Sequence, residues 1–312
     1  MALLKPVTVT GNRTPLSRRI LNNLDLYILI LPPVAVLIIF RYLPLYGAQI
    51  AFRDYNILDG ITGSPWVGLE HFRTLFSASQ FHRILRNTIL LNIYRLVYQF
   101  PIPIIIALSI YELRSRFYKK CIQTISYLPH FLSWVVVGAI FSNLLMLQGI
   151  VNQFLGIFGI SPTLFLAETK YFRSMLVISD AWKNSGWGSI IYLAAMMSID
   201  PQLYESAMVD GAGHFRRIWH ITLPGIRSTI IFIVLLRLSA ILGSSVEQIL
   251  VLYNPMVYEV GDMISTYVYR TGLTNMRYSY TTAIGLFSSV IGFVMIISAN
   301  YAARIFGERA MW

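Results

Sequence analysis

Six stretches of this chain are apolar over lengths that match a membrane crossing, and this restricts the fold more than any other feature. They run from about Leu24 to Tyr46, Asn87 to Tyr111, Ile122 to Leu147, Phe172 to Met197, Thr229 to Leu250 and Ser279 to Phe306. The hydrocarbon core of a bilayer takes about 20 residues of helix. In lipid only a helix satisfies its own backbone, and the short alternating segments of a β-barrel are absent from the sequence. The expected fold is an all-α polytopic membrane protein with six transmembrane helices in one domain, 24–306. Tails 1–23 and 307–312 flank it. Pro32-Pro33 should kink or restart the first helix near its entrance. Only 12% of residues are charged and 56% are hydrophobic, about half the charge of a soluble domain. The first 23 residues are polar and basic and lead into a long apolar run without a small-residue cleavage site. No cleavable signal peptide is expected. Cys121 is the one cysteine, which excludes an intrachain disulfide and a cysteine metal centre and suits an apolar filler.

Charge sets the expected orientation. Lys5, Arg13, Arg18 and Arg19 precede the first run. Arg114, Arg116, Lys119 and Lys120 crowd the short loop after the second, Arg216, Arg217 and Arg227 follow the fourth, and Arg304 and Arg309 close the chain. The opposite loops carry Arg53, Arg73, Arg83, Arg86, Lys170, Arg173, Arg270 and Arg277 over greater length. The denser side should be cytoplasmic, so both termini are expected there. The formal charge of +11 then reflects this bias and contact with anionic lipid rather than nucleic acid.

Residues 198–227 read SIDPQLYESAMVDGAGHFRRIWHITLPGIR. Asp200-Pro201 starts a helix: Asp caps free amides and Pro suits the first turn. Leu203, Ala207 and Met208 form an apolar stripe. Gly211 and Gly213 can turn the chain at its end. A second amphipathic piece sets Phe215, Ile218, Trp219 and Ile221 against Arg216, Arg217 and His220, and Pro224 should stop it. Two short helices between spans make an elbow suited to a groove on a partner protein.

Glu205-Ser206-Ala207, Asp210-Gly211-Ala212 and Ile221-Thr222-Leu223-Pro224 resemble the EAA signature of ATP-binding-cassette importer permeases, with Ser206 in place of the usual second Ala. The resemblance implies a cytoplasmic coupling-helix loop between spans four and five that docks into a partner ATPase. Tyr204, Glu205, Ser206, Ala207, Asp210, Gly211, Ala212, Phe215, Ile221, Leu223 and Pro224 would carry the coupling. Glu205 would pair with a basic residue of the ATPase and Gly211 would permit the bend. Tyr42-Leu43-Pro44-Leu45-Tyr46-Gly47, Gly63-Ser64-Pro65-Trp66-Val67-Gly68-Leu69, Ser126-Tyr127-Leu128-Pro129-His130-Phe131, and Glu247-Gln248 before Leu252-Tyr253-Asn254-Pro255 extend the likeness. They resemble the maltose-type permeases that import oligosaccharides from polysaccharide breakdown. That subgroup implies a second homologous permease as heterodimer partner, two ATPase subunits binding ATP and Mg, an extracytoplasmic substrate-binding protein and a bacterial inner-membrane location. The chain has no Gly-Lys dipeptide and hence no phosphate-cradling P-loop, so it is expected to be a pore subunit and not itself an enzyme.

Polar residues inside apolar runs are costly and mark function. Asn92, Arg95 and Gln99 share a helix face in span two. Asp180, Lys183, Asn184 and Trp187 do so in span four, and Arg237, Ser244 and Gln248 in span five, with Glu247 beside them. These stripes, with the rings of Trp182, Trp187 and Tyr192, form the candidate sugar path. A structural alternative pairs Asp180 with Lys183 and Arg237 with Glu247. The inner set of Arg95, Lys183 and Arg237 outnumbers Asp180 and Glu247, which favours an acidic oligosaccharide such as alginate or pectin fragments over a neutral one. The outer tyrosines Tyr253, Tyr258, Tyr267 and Tyr269 suit either a binding protein or packing over the bundle mouth.

Other classes fit less well. A membrane enzyme needs a catalytic constellation, and neither His-Glu-x-x-His nor Gly-x-Ser-x-Gly occurs. His214 and His220 fall on different helix faces, which is poor metal geometry, and no metal site is expected. An ion-coupled secondary transporter has no use for a docking elbow, and no internal repeat is visible.

Overall fold

The computed structural model describes residues 23–243 and 246–305. Among them the secondary structure is helical, apart from an isolated extended bridge between Arg53 and Trp66. The principal helices are α1 (Leu24–Leu37), α2 (Glu70–Ser77), α3 (Ser79–Tyr94), α4 (Pro101–Glu112), α5 (Arg116–Tyr127), α6 (Trp134–Leu145), α7 (Ile150–Ile157), α8 (Thr169–Met197), α9 (Pro201–Val209), α10 (His214–Arg217), α11 (Arg227–Ser239), α12 (Val246–Leu252), α13 (Ile264–Val268) and α14 (Tyr278–Ile305).

Four continuous stretches of the described residues are long and apolar enough to cross a membrane: Leu24–Phe52, Ser79–Glu112, Trp134–Ile157 and Tyr278–Tyr301. The pair His214–Gly225 and Arg227–Leu238, bent by 59°, makes a fifth if counted as one span. The expected fourth run is present as the 29-residue α8, but Asp180, Lys183 and Asn184 in its middle hold its hydropathy below that of a lipid-facing helix. It does not need to face lipid. α8 is the hub of the bundle, packed against α3, α4, α5, α6, α11 and α12, and Phe172, Leu176, Ser179, Asp180, Lys183, Ser189 and Met196 are buried along it. Where neighbouring helices replace lipid, polar residues find partners.

Several expected boundaries move. Pro32 and Pro33 lie inside α1 without ending it. In lipid no water competes for the carbonyls they free, so keeping the helix costs less than breaking it. The backbone widens only later, at Ile38–Tyr42, before a tight 3₁₀ segment Leu43–Phe52 that packs on α14. The third run is broken: a 3₁₀ turn at Leu128–Phe131 separates α5 from α6. Pro129 sits in that turn, and Ser133 caps α6 by accepting from the Val136 amide at 3.3 Å. The fifth run is broken as well, because α11 ends at Ser239 and α12 begins at Val246. α3 starts at Ser79, earlier than its apolar run, and continues through a widened turn at Arg95–Gln99 into α4.

Three buried clusters set the packing. Leu75, Phe81, Ile84, Ile264, Tyr280 and Ile284 join α2, α3, α13 and α14. Leu91, Phe172, Leu176, Ile249 and Met263 join α3, α8 and α12. Ala107, Tyr192, Met196 and Ile226 join α4, the end of α8 and the start of α11. Small residues allow the closest approaches. A Cβ on Gly186 of α8 would lie 1.9 Å from the Ser126 carbonyl oxygen of α5, so these backbones touch, as at small-residue helix contacts in membranes.

The segment 253–274 is folded into short turns over the mouth of the bundle. Asp262, 1% exposed, is paired with Arg270 at 2.6 Å. The guanidinium lies over the Tyr258 ring at 4.9 Å and the Tyr267 ring at 5.9 Å. Burial lowers the Arg270 pKa, but the bond and charge of Asp262 outweigh it and leave the group above its ordinary value. Tyr253, Tyr258 and Tyr267 therefore pack over the bundle, while Tyr269 is 45% exposed.

Candidate functional site

The elbow is built as a rigid unit. Asp200 caps α9 by accepting from the Gln202 amide at 2.9 Å. At the far end the Ala212 amide donates to the Ala207 carbonyl at 2.8 Å and the Gly211 amide to Met208 at 3.1 Å. This paired closure needs a left-handed residue, and Gly211 has φ +76°. Gly213, at φ −66°, is ordinary extended backbone. The second piece does not stop at Pro224. It runs through a widened turn Ile218–Thr222 to Gly225 and breaks at Ile226. The widening accommodates Pro224, which lacks an amide and whose ring would clash with the carbonyl four residues back.

One face of the elbow holds the bundle and the other is free. The Tyr204 hydroxyl is 3.0 Å from Thr222 Oγ1, and its ring lies against Tyr111 of α4. His214 Nδ1 is 3.4 Å from a carboxylate oxygen of Glu112. Leu223 packs into the cluster around Ala107 and Met196. Ile221, Ala207 and Ala212 are half-buried. Glu205, Ser206, Asp210 and Pro224 are exposed, and so are Leu203, Met208, Val209, Phe215 and Trp219, with Val209 at 88% and Phe215 at 76%. Large apolar side chains turned outward beside an exposed carboxylate fit a surface that a partner covers.

Five polar residues of the bundle, Arg95, Asp180, Asn184, Gln248 and His130, form one network. Arg95, in the widened turn after α3, donates Nη2 to Gln248 Oε1 and pairs through Nε with Asp180 at 3.6 Å. That separation is an ion pair, not a hydrogen bond. Gln248, fully buried on α12, donates to the Leu176 carbonyl at 2.7 Å and Ser179 Oγ at 2.9 Å. Asn184 donates to Asp180 at 2.5 Å, and its own carbonyl oxygen is 3.0 Å from His130 Nδ1. The His130 ring is stacked on Trp187 with centroids 4.8 Å apart. His130 belongs to this network and carried no polar-stripe signal, because it sits in the α5–α6 break rather than in a helix period.

Lys183 stands apart. Its ammonium donates to the carbonyls of His130 and Leu132, both at 2.6 Å, and of Pro129 at 3.4 Å. It satisfies backbone carbonyls at the break rather than pairing with Asp180. Asp180 pairs across helices with Arg95. Asn92 donates to the Thr88 carbonyl at 2.9 Å. Gln99 is buried, Trp182 and Trp187 are about half-exposed, and Glu247 is exposed. Arg237 lies on α11 and Gln248 on α12, so the two do not share one helix face as expected; Ser244, the third residue of that stripe, is outside the described residues. Arg237 rests over the Phe100 ring at 5.9 Å. Asn92, Arg95, Asp180 and Arg237 line one cavity of about 160 Å³.

A bundle of apolar helices around a polar hub, with an outward amphipathic elbow, is the membrane component of a transport system. The chain belongs to the family described as the binding-protein-dependent transport system inner membrane component, which it matches over residues 99–307. It is 41% identical to Protein LplB of Bacillus subtilis over 98% of this chain and 97% of that protein. It is 40% identical to the polygalacturonan/rhamnogalacturonan transport system permease protein YteP of Bacillus subtilis, over 94% of this chain and 92% of that one. A solved chain of a bacterial ABC transporter involved in import of the acidic polysaccharide alginate superposes with a TM-score of 0.86 and 42% identity, covering 93% of this chain and 98% of that one.

Proposed function

We propose that this chain is one permease subunit of an ATP-binding-cassette importer for acidic oligosaccharides, working by alternating access. The observation that carries the substrate class is the 42% identity to a chain of the alginate transporter across nearly its whole length. The polygalacturonan transporter relative points to the same chemistry, a chain of uronic acids. A neutral oligosaccharide is the less favoured reading. A related alginate transporter is solved with a pentasaccharide-bound periplasmic protein, which supports delivery by a binding protein here.

In this reading six spans cross the bacterial inner membrane with both termini cytoplasmic. A second permease completes the pore. Two ATPase subunits bind ATP and Mg and receive the elbow, and hydrolysis is theirs. Glu205 and the outward apolar face of α9 and α10 meet the ATPase. Because Tyr204, His214 and Leu223 tie the elbow to α4 and α11, its displacement moves those helices together, which is what a lever on a two-state bundle requires.

The test is ATP hydrolysis by the co-purified complex with its binding protein, across uronic and neutral oligosaccharides. Stimulation by uronic chains is expected. Stimulation by neutral sugars alone would keep the importer and overturn the acidic substrate.

A further inference from the structure

Arg95, Lys183 and Arg237 are the cations deep in the spans that favour an acidic substrate, and two of them are committed to protein partners. Arg95 is paired with Asp180, and Lys183 is held by three carbonyls. Arg237 lines the small cavity beside Asp180, and a wider opening lies elsewhere, near the start of α8. There a cavity of about 490 Å³ is walled by Lys170, Arg173 and Ser174 on α8 and by Tyr94 and Tyr98 across from them, with no carboxylate in its wall.

The arrangement is preset. Arg173 donates Nη2 to Asn87 Oδ1 at 2.7 Å and Nε to the Val260 carbonyl at 3.2 Å, so its guanidinium has a fixed position. Asn87 in turn donates to the carbonyls of Glu259 and Asp262. Glu259 acts on Arg173 electrostatically but is not part of the cavity wall. Lys170 lies one turn away, with Nζ over the Tyr171 ring at 5.2 Å. Tyr94 and Tyr98, also one turn apart, have ring centroids separated by 6.2 Å. α8 is 29 residues long, so this end lies about 40 Å from the elbow, on the side where a binding protein delivers its load.

We infer that this cavity is an outer-mouth subsite for a uronate residue of the incoming chain, with Lys170 and Arg173 on the carboxylate and Tyr94 and Tyr98 against the sugar ring. A planar guanidinium suits a carboxylate, and an ammonium one turn away adds a second charge-assisted bond. Tyrosine offers an apolar face with a hydroxyl at its edge. The inference rests on the importer reading above.

The test uses the complete complex in lipid nanodiscs, with ATP hydrolysis stimulated by a uronate tetrasaccharide or its uncharged methyl ester. Lys170→Gln should raise the KM for the uronate about fivefold to tenfold, the scale of one net hydrogen bond from a solvent-exposed group. It should leave the KM for the ester unchanged, and Lys170→Arg should retain most of the affinity. Arg173 is left intact because it also braces Asn87. A second measurement places a thiol at the site with Tyr98→Cys in a Cys121→Ser background. The uronate should protect it from a maleimide and the ester should protect it less. Equal effects on both sugars, or none, would overturn the subsite and leave the importer standing. A thiol unreactive even without sugar would mean that the partner permease covers this face, which also overturns it. A wild-type complex stimulated by no oligosaccharide would overturn the importer reading and the subsite with it.

Discussion

Arg95 and Lys183 are both cations buried in the bundle, and they are held by different chemistry. Arg95 answers a charge. Replacing it with Gln leaves Asp180 buried and unpaired, which costs about 3–5 kcal/mol. Arg95→Gln should therefore lower the melting temperature of the purified complex, and adding Asp180→Asn should restore part of it. A substrate-binding arginine would instead show a raised KM at unchanged melting. Lys183 answers backbone. Lys183→Met removes the donor to the His130 and Leu132 carbonyls, each worth about 1–3 kcal/mol when left unsatisfied, while the Pro129 carbonyl keeps the Leu132 amide. The expected result is faster proteolysis at 128–133 and lower melting, with KM for the sugar unchanged. Gly211 answers geometry. Any β-branched side chain at φ +76° is strained by about 1–2 kcal/mol or more. Gly211→Val should cut transport in vesicles further than it cuts the amount of chain inserted. Equal losses would remove the elbow closure from the mechanism.

At the scale of elements, what sequence periodicity reveals is which segments are helical and which face is apolar. α8 and α14 follow their apolar runs closely, and the α9 start at Asp200-Pro201 is where capping chemistry places it. The breaks were less legible. Only Gly243-Ser244-Ser245 hints at a break after α11, and it lies several residues past Ser239 in a run that is apolar on both sides. At 128–133 Pro129 is a local signal, but the ammonium that makes the break tolerable comes from a helix some fifty residues on, and no local pattern encodes it. The same limit hid His130. Its partners Asn184 and Trp187 are distant in sequence, so only the packing of α5 on α8 brings them together. That packing depends on Gly186, where a Cβ would collide with the Ser126 carbonyl. Gly186→Leu should separate α5 from α8, so the complex should lose thermal stability and Trp187 fluorescence should shift as the His130 stack opens. Unchanged melting would mean that the two helices do not meet there.

For the whole molecule the decisive property is its polarity across the membrane. α8 carries the elbow just beyond its last residue and Lys170 in its first turn, and a single helix of this length joins the two faces of a bilayer. The basic residues around the elbow and in Arg114–Lys120, at the start of α5, predict a cytoplasmic location for that end. With Cys121→Ser as background, Lys170→Cys should react with a membrane-impermeant maleimide added outside intact cells. Arg217→Cys, on the elbow, should react only after the membrane is opened. Phe215 and Trp219 beside Arg217 are exposed in the isolated subunit, so the proposed docking of the ATPases predicts that this face becomes hidden. In inside-out vesicles carrying the assembled complex, labelling of Arg217→Cys should fall relative to the subunit alone, and Glu205→Lys should restore it by weakening the contact. The same pattern with the two faces exchanged would invert the transporter, turning an importer into a protein whose elbow has no ATPase to meet.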